Sequence, residues 1–170
     1  MSETPAFSSI PTRILAPIDF SPSSRAALEM AADLARHFSA ELLLLHVIPM
    51  FPSTTFGDFV PESKFLEDAR KDAERHFAAA LKDLAAKGIK ISSSIEEGND
   101  VAGNIMEAID REKIDMVVIS THGMTGWHPL VFGSIAEKVV KLAQCPLMLL
   151  RSAKPKSSIK IPSGRLMEWW

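Results

Sequence analysis

The residues best placed to do chemistry lie between Asp115 and Val140, in DMVVISTHGMTGWHPLVFGSIAEKVV. Met116 to Ile119 is a short continuous apolar run, as expected of a parallel strand covered on both faces. Ser120 to Phe132 then reads as a loop carrying Gly123, Gly126 and Pro129. Gly133-Ser134 opens a helix, with Ser134 and Glu137 spaced as a capping box ahead of an apolar face. A strand feeding a small-residue loop that ends on a helix N-terminus is where α/β proteins hold phosphates. Unpaired backbone N–H groups and the positive end of the helix dipole supply the attraction there, so no lysine is obligatory.

Other chemistries fit less well. His122 and His128 flank the loop, but no Cys, Asp or Glu falls within residues 120–134, so no metal-ligand cluster can be drawn there. His46 sits in an apolar run and reads as a core histidine with a satisfied ring. Cys145 precedes a proline and reads as inert packing. Phosphoryl transfer needs a positioned nucleophile and charge neutralisation. The chain has no Gly-x4-Gly-Lys-(Ser/Thr) loop, no arginine in the 120–134 loop, and no obvious base besides Asp19.

The chain that must position these residues has 170 of them, enough for one well-cored domain. Its 46% hydrophobic content suits a globular fold. No run reaches the roughly eighteen apolar residues of a membrane span. The opening MSETPAFSSIPT lacks a charged segment followed by an apolar core, so no secretory signal is expected. A lone cysteine excludes an internal disulfide and suits a reducing compartment, and a net charge of −2 argues against a nucleic-acid partner. A cytoplasmic protein with no membrane or nucleic-acid partner is the expectation.

Taken in order, residues 1–11 read as a tail and RILAPI (Arg13 to Ile18) as a strand ending at Asp19. Ser21-Pro22 caps a helix whose buried stripe should be Ala27, Met30, Ala31, Leu34, Ala35 and Phe38. ELLLLHVI (Glu41 to Ile48) is the most apolar strand and reads as central. Met50 to Val60 is a long loop of the kind that often forms a lid. Glu62 to Lys87 predicts a long charged helix with Gly88 as its C-cap. Ile89 to Ile95, alternating apolar and serine, predicts a strand near an edge. Gly98-Asn99-Asp100 caps a helix with Ala102, Ile105, Met106 and Ile109 inward. After the strand–loop–helix described first, with Ala136, Val139, Val140 and Ala143 inward, PLMLL (Pro146 to Leu150) predicts a fifth strand. Residues 152–170, ending in Trp169-Trp170, read as a second tail. Such β-α alternation specifies a single α/β domain: an open parallel five-stranded sheet with helices on both faces.

At this point the sequence resembles a known family, the universal stress proteins, in its nucleotide-binding branch. That branch carries Gly-x2-Gly-x9-Gly-(Ser/Thr); this chain has Ser120-x2-Gly123-x9-Gly133-Ser134, followed by the family-like IAEKVVKLAQCPLMLLR. ILAPIDFSPSS and LLHVI are similar to the family as well. The resemblance covers roughly residues 12–151. It implies a flavodoxin- or Rossmann-like sheet of order 3-2-1-4-5, with ATP, ADP or AMP bound outside the switch point between strands 1 and 4. It implies that Asp19 meets the ribose or adenine edge while Pro17, Ile18 and Val47 line the adenine slot. Ile119, Ser120 and Gly123 would face the ribose and α-phosphate, with His122, Met124 and Gly126 in the same loop. Gly133, Ser134 and Ile135 would offer backbone N–H groups and one hydroxyl to the outer phosphates. Magnesium would arrive with the nucleotide, held mainly by phosphate oxygens and water.

Ser120 stands where the family has its first glycine. A position needing positive φ disfavours serine; one needing only a small side chain beside the sugar accepts it, and the retained Gly123 and Gly133-Ser134 favour the latter. The family resemblance also implies a homodimer joined through Pro146 to Leu150, which would cover an apolar edge. The resulting expectation is a homodimeric, ATP-binding regulatory module of the stress response. Three other readings compete with it: a slow ATPase or ATP-using transferase, a dimeric module without nucleotide, and a flavodoxin-like redox protein.

Overall fold

The computed structural model describes residues 10–50, 62–121 and 133–151. Within them strands and helices alternate: β1 (Arg13–Pro17), α1 (Pro22–Phe38), β2 (Glu41–Pro49), α2 (Glu62–Ala86), β3 (Ile91–Gly98), α3 (Val101–Arg111), β4 (Met116–Ser120), α4 (Ser134–Leu142) and β5 (Leu147–Leu150). The strands are parallel and ordered β3-β2-β1-β4-β5, the order expected of the family. β2 is an interior strand, and β1 takes the middle. Residues 51–60 of the expected loop, 1–9 of the first tail and the whole 152–170 tail lie outside the described residues.

Because alternate side chains of a strand leave on opposite faces, each buried strand feeds two cores. Ile14, Ala16, Leu42, Leu44 and Val118 meet α1 and α2 on one face. Leu15, Leu43, Leu45, Val117 and Ile119 meet α3 and α4 on the other. Four inward assignments change. Met30 and Val140 are 40% and 43% exposed, while Ala32 and Ala108 are buried in their helices. In α1 the buried stripe passes through Ala31 and Ala32, leaving Met30 at its margin; in α4 Val139 faces the core and its neighbour Val140 does not.

Helix entry and exit follow local rules in most places. The Ser21 side chain accepts the Ser24 N–H at 3.1 Å, with Pro22 at the first helical position, a cap that contributes about 1 kcal/mol. Gly88 turns the chain at φ 78° after α2, the left-handed conformation that suits glycine. β3 begins at Ile91, two residues later than expected, since Ile89 is used to close the α2 turn through its N–H to the Leu84 carbonyl.

The registers of β1 and β4 are fixed at the far end from the site. The Asp115 carboxylate accepts the Thr12 N–H at 2.8 Å, the Thr12 hydroxyl at 2.5 Å and the Arg13 N–H at 2.9 Å. Asp115 in turn gives its N–H to the Arg13 carbonyl at 3.1 Å. Asp115→Ala takes the charged acceptor away from Thr12 and Arg13 at the start of β1. Denaturant unfolding should show a loss of about 1–3 kcal/mol with an unchanged dependence on denaturant, whereas a loss within experimental error would mean the clamp adds nothing.

Candidate functional site

The ladders of the sheet are of unequal length, and the shortest lies at the candidate site. β1 pairs with β4 only through Ile14–Met116 and Leu15–Val117. By contrast β1–β2 runs on to Pro17–Leu45, and β4–β5 to Ser120–Leu150. The alternation of backbone groups explains the break. Arg13 turns its carbonyl to β4 (it accepts from Asp115), while Ile18 turns its N–H to β2 (it donates to Leu45 at 2.8 Å). Pro17 therefore presents its nitrogen side to β4, and proline has no N–H to give. Beyond this point Pro17-Ile18-Asp19 and Ile119-Ser120-Thr121 are no longer paired, at the topological switch point where open parallel sheets bind ligands.

Ser120 ends β4 in extended backbone, 8% exposed, and is not among the residues with positive φ. Serine in place of the family's glycine therefore carries no backbone strain there. Thr121 follows, 3% exposed. Its N–H donates to the Leu150 carbonyl at 2.9 Å, and its carbonyl accepts the Gly133 N–H at 2.8 Å. The chain thus leaves the sheet and returns to it at one residue. His122, Gly123, Met124 and Gly126, which lie on this excursion, fall outside the described residues.

The helix that begins on that return differs from expectation in its cap. Gly133 is the N-cap, at φ −57° and ψ 144°, and Ser134 is the first residue of α4 with no side-chain cap bond. The Ser134–Glu137 capping box is therefore not formed. The Glu137 N–H goes to the Gly133 carbonyl at 2.9 Å, and its carboxylate turns along the helix to Lys141 at 2.6 Å. The hydrogen bond from Lys141 and that ammonium's charge hold the Glu137 carboxyl below its ordinary value. Two consequences follow for anion binding. The Gly133 N–H is committed to Thr121, and the first-turn N–H groups without an acceptor inside the helix are those of Ser134, Ile135 and Ala136. Ser134 is exposed and its hydroxyl is not used as a cap.

The other expected residues divide between the two faces. Val47 and Ile119 share a cluster with Ala136 of α4. Ile18 packs its side chain into the opposite cluster, so only its backbone borders the crevice. The Asp19 carboxylate accepts the Ser21 N–H at 3.0 Å, which places it at the mouth of the first β–α turn. Cys145 is half-buried, and burial pushes its thiol up from the ordinary value, consistent with packing rather than reactivity. No group of three or more His, Cys, Asp or Glu suited to a metal occurs among the described residues.

Two residues beside the candidate site were not among those expected there: Thr121, which composition and spacing did not single out, and His46, which was read as a satisfied core histidine. Thr121 is an ordinary residue of the sequence, and only its two backbone bonds give it a role. His46 was visible as a polar residue in an apolar strand; the Ile18 carbonyl, 2.7 Å from Nδ1, is what satisfies it.

With fold and site in place, the comparisons with known proteins agree. Residues 11–151 match the universal stress protein family, and the chain belongs to that family. A universal stress protein of Methanocaldococcus jannaschii is 31% identical over 85% of this chain and 83% of its own. The solved structure of the universal stress protein UspA from Lactobacillus plantarum superposes with a TM-score of 0.74 at 23% identity, covering 85% of this chain and 100% of the other. Two more distant structures hold ligands. One is a universal stress protein in complex with cAMP (TM-score 0.63, 17% identity, 84% and 98% covered). The other is the Archaeoglobus fulgidus protein in complex with dAMP (0.58, 18%, 81% and 96%). No helix among the described residues is long and apolar enough to cross a membrane.

Burial lowers the His46 pKa, against opposing contributions from its bond to Ile18 and from Asp19, with His76 adding to the depression. The unfolded chain therefore binds this proton more readily than the folded one. The stabilisation is complete above about pH 6.5 and is lost as pH falls through the depressed native value. Unfolding free energy measured from pH 7.5 to 5 should decline, and in His46→Asn this part of the decline should disappear. An identical pH profile in the two proteins would remove His46 as its source.

Proposed function

We propose that this chain is an adenine-nucleotide-binding regulatory module of the cytoplasmic stress response, working as a homodimer joined through Pro146 to Leu150. The observation that carries the reading is the early end of the β1–β4 ladder. In this reading a crevice lies beyond it, with a carboxylate, Asp19, on one side and the first turn of α4 on the other. An adenosine phosphate has matching parts: a base and sugar with donors and acceptors, and an anion suited to a helix N-terminus. The cAMP and dAMP held by two relatives share that chemistry. In this reading Val47 and Ile119 flank the base and ribose, while the N–H groups of Ser134 and Ile135 and the Ser134 hydroxyl take the phosphates of ATP, ADP or AMP. Magnesium comes with the phosphates, coordinated by their oxygens and water. Regulation follows if ATP and its products favour different conformations, since a ligand shifts an equilibrium only by its differential affinity.

The enzyme reading asks more of the same groups. Asp19, the carboxylate this reading has at the crevice among the described residues, already accepts the Ser21 N–H, and a phosphoryl-transfer site needs both a positioned nucleophile and fixed charge.

The first experiment is denaturation of the purified protein, with any released small molecule identified by chromatography and mass spectrometry. Recovery of an adenine nucleotide, or calorimetric binding of added ATP with magnesium, supports the reading; an empty chain that also binds no added nucleotide overturns it. Gly133→Val then locates the site. Its backbone, at φ −57°, accepts a side chain without strain, so the effect reports the room needed beside the phosphate. Affinity should fall by about tenfold to a hundredfold, the equivalent of one or two charge-assisted hydrogen bonds. Unchanged affinity would place the phosphates elsewhere.

A further inference from the structure

The imidazole of His46 reaches from β2 to the backbone of β1 where β1 has left its ladder. Nδ1 lies 2.7 Å from the Ile18 carbonyl oxygen. A carbonyl only accepts, so this nitrogen carries a proton and donates it. Ile18 also gives its N–H to the Leu45 carbonyl at 2.8 Å. Both backbone groups of Ile18 are thus held by β2, one by a ladder-like bond and one by a side chain. The next residue is Asp19. After it comes Phe20, whose φ of 62° is rare for a bulky residue. The Phe20 ring lies against the His46 ring at a centroid distance of 4.6 Å. On α2, His76 stacks on Phe20 at 4.7 Å and Phe77 meets it edge-on at 5.5 Å. One histidine therefore holds the carbonyl before Asp19 and the ring after it.

We propose that His46 is a positioning residue that sets where the Asp19 carboxylate stands at the crevice. What Asp19 touches there rests on the nucleotide reading above; how its backbone is held does not. An apolar residue would fill the same half-buried space in β2, a strand otherwise rich in leucine, without the cost of burying an imidazole. What it could not do is donate to a carbonyl beyond the end of β1. The left-handed turn at Phe20 is kept by rings packed around it, and the Ser21 N–H to Asp19 bond closes the turn on its far side.

Two substitutions separate the parts of this device. His46→Asn leaves an amide nitrogen near the position of Nδ1 and removes the ring. His46→Phe keeps a ring against Phe20 and removes the donor. Amide hydrogen exchange at Ile18 and Ser21, the unfolding midpoint and calorimetric affinity for AMP are measured on each. In His46→Phe, exchange at Ser21 should accelerate by about tenfold, as loss of one net hydrogen bond implies, while exchange in β4 and β5 stays unchanged. AMP affinity should fall by a similar factor, and His46→Asn should recover most of both. Ser21 exchange unchanged in both variants overturns the proposal, and so does weakened AMP binding without faster Ser21 exchange. In the wild-type protein, imidazole nitrogen NMR should show the Nδ1–H tautomer with a slowly exchanging proton; a ring protonated only on Nε2 also overturns it, whether or not either variant folds. A wild-type chain that binds no AMP defeats the nucleotide reading alone, and the exchange data still decide the role of His46.

Discussion

β1 and β4 are neighbours in the sheet but pair through only Ile14–Met116 and Leu15–Val117, because Pro17 turns a backbone edge without an N–H towards β4. In a parallel sheet buried on both faces, an unpaired stretch of two adjacent strands must be satisfied by something else. The residues around this end of the sheet are that something. Ile18 is taken by β2 through Leu45 and His46, and Thr121 is taken by β5 and by the returning chain at Gly133. The crevice is thus a gap whose two walls are each pinned from behind.

The gap opens at one end only. Asp115 binds the starts of both strands together through Thr12 and Arg13, so register is set far from the crevice. Between the clamp and the gap lie the two apolar cores, where Leu15 and Val117 on one face and Ile14 and Val118 on the other are fully buried. That layer makes the strands stiff enough that their ends can diverge without the sheet losing register. The interactions that shape the crevice are, by contrast, few and polar.

Ser120 and Ser134 show how a position can keep its place in a family pattern while changing its physical job. Ser120 occupies extended strand backbone, so the pattern's first small residue is a matter of room and not of φ. Ser134, spaced as a cap three residues before Glu137, is inside the helix, and Gly133 does the capping. A capping box depends on one φ/ψ pair at the first residue. Here the Gly133 bond to Thr121 sets that pair one residue earlier than the sequence spacing indicates.

What the sequence determined alone is what short-range physics controls. Apolar runs such as ELLLLHVI and DMVVIS made strands, Ser21-Pro22 and Gly88 ended or began helices, and the alternation of these elements specified the parallel sheet. The strand order was legible only through family resemblance, because no local rule relates β1 to β4. The tertiary structure alone decided which backbone groups those segments spend on each other: Gly133 on Thr121, Ile18 on His46, and no N–H from Pro17 to β4. It also decided that Ala32 and Ala108 go inward while Met30 and Val140 do not. These outcomes depend on how closely a helix can approach the sheet and on which hydrogen bonds the ladder leaves unmade, quantities that exist only once distant segments are packed together.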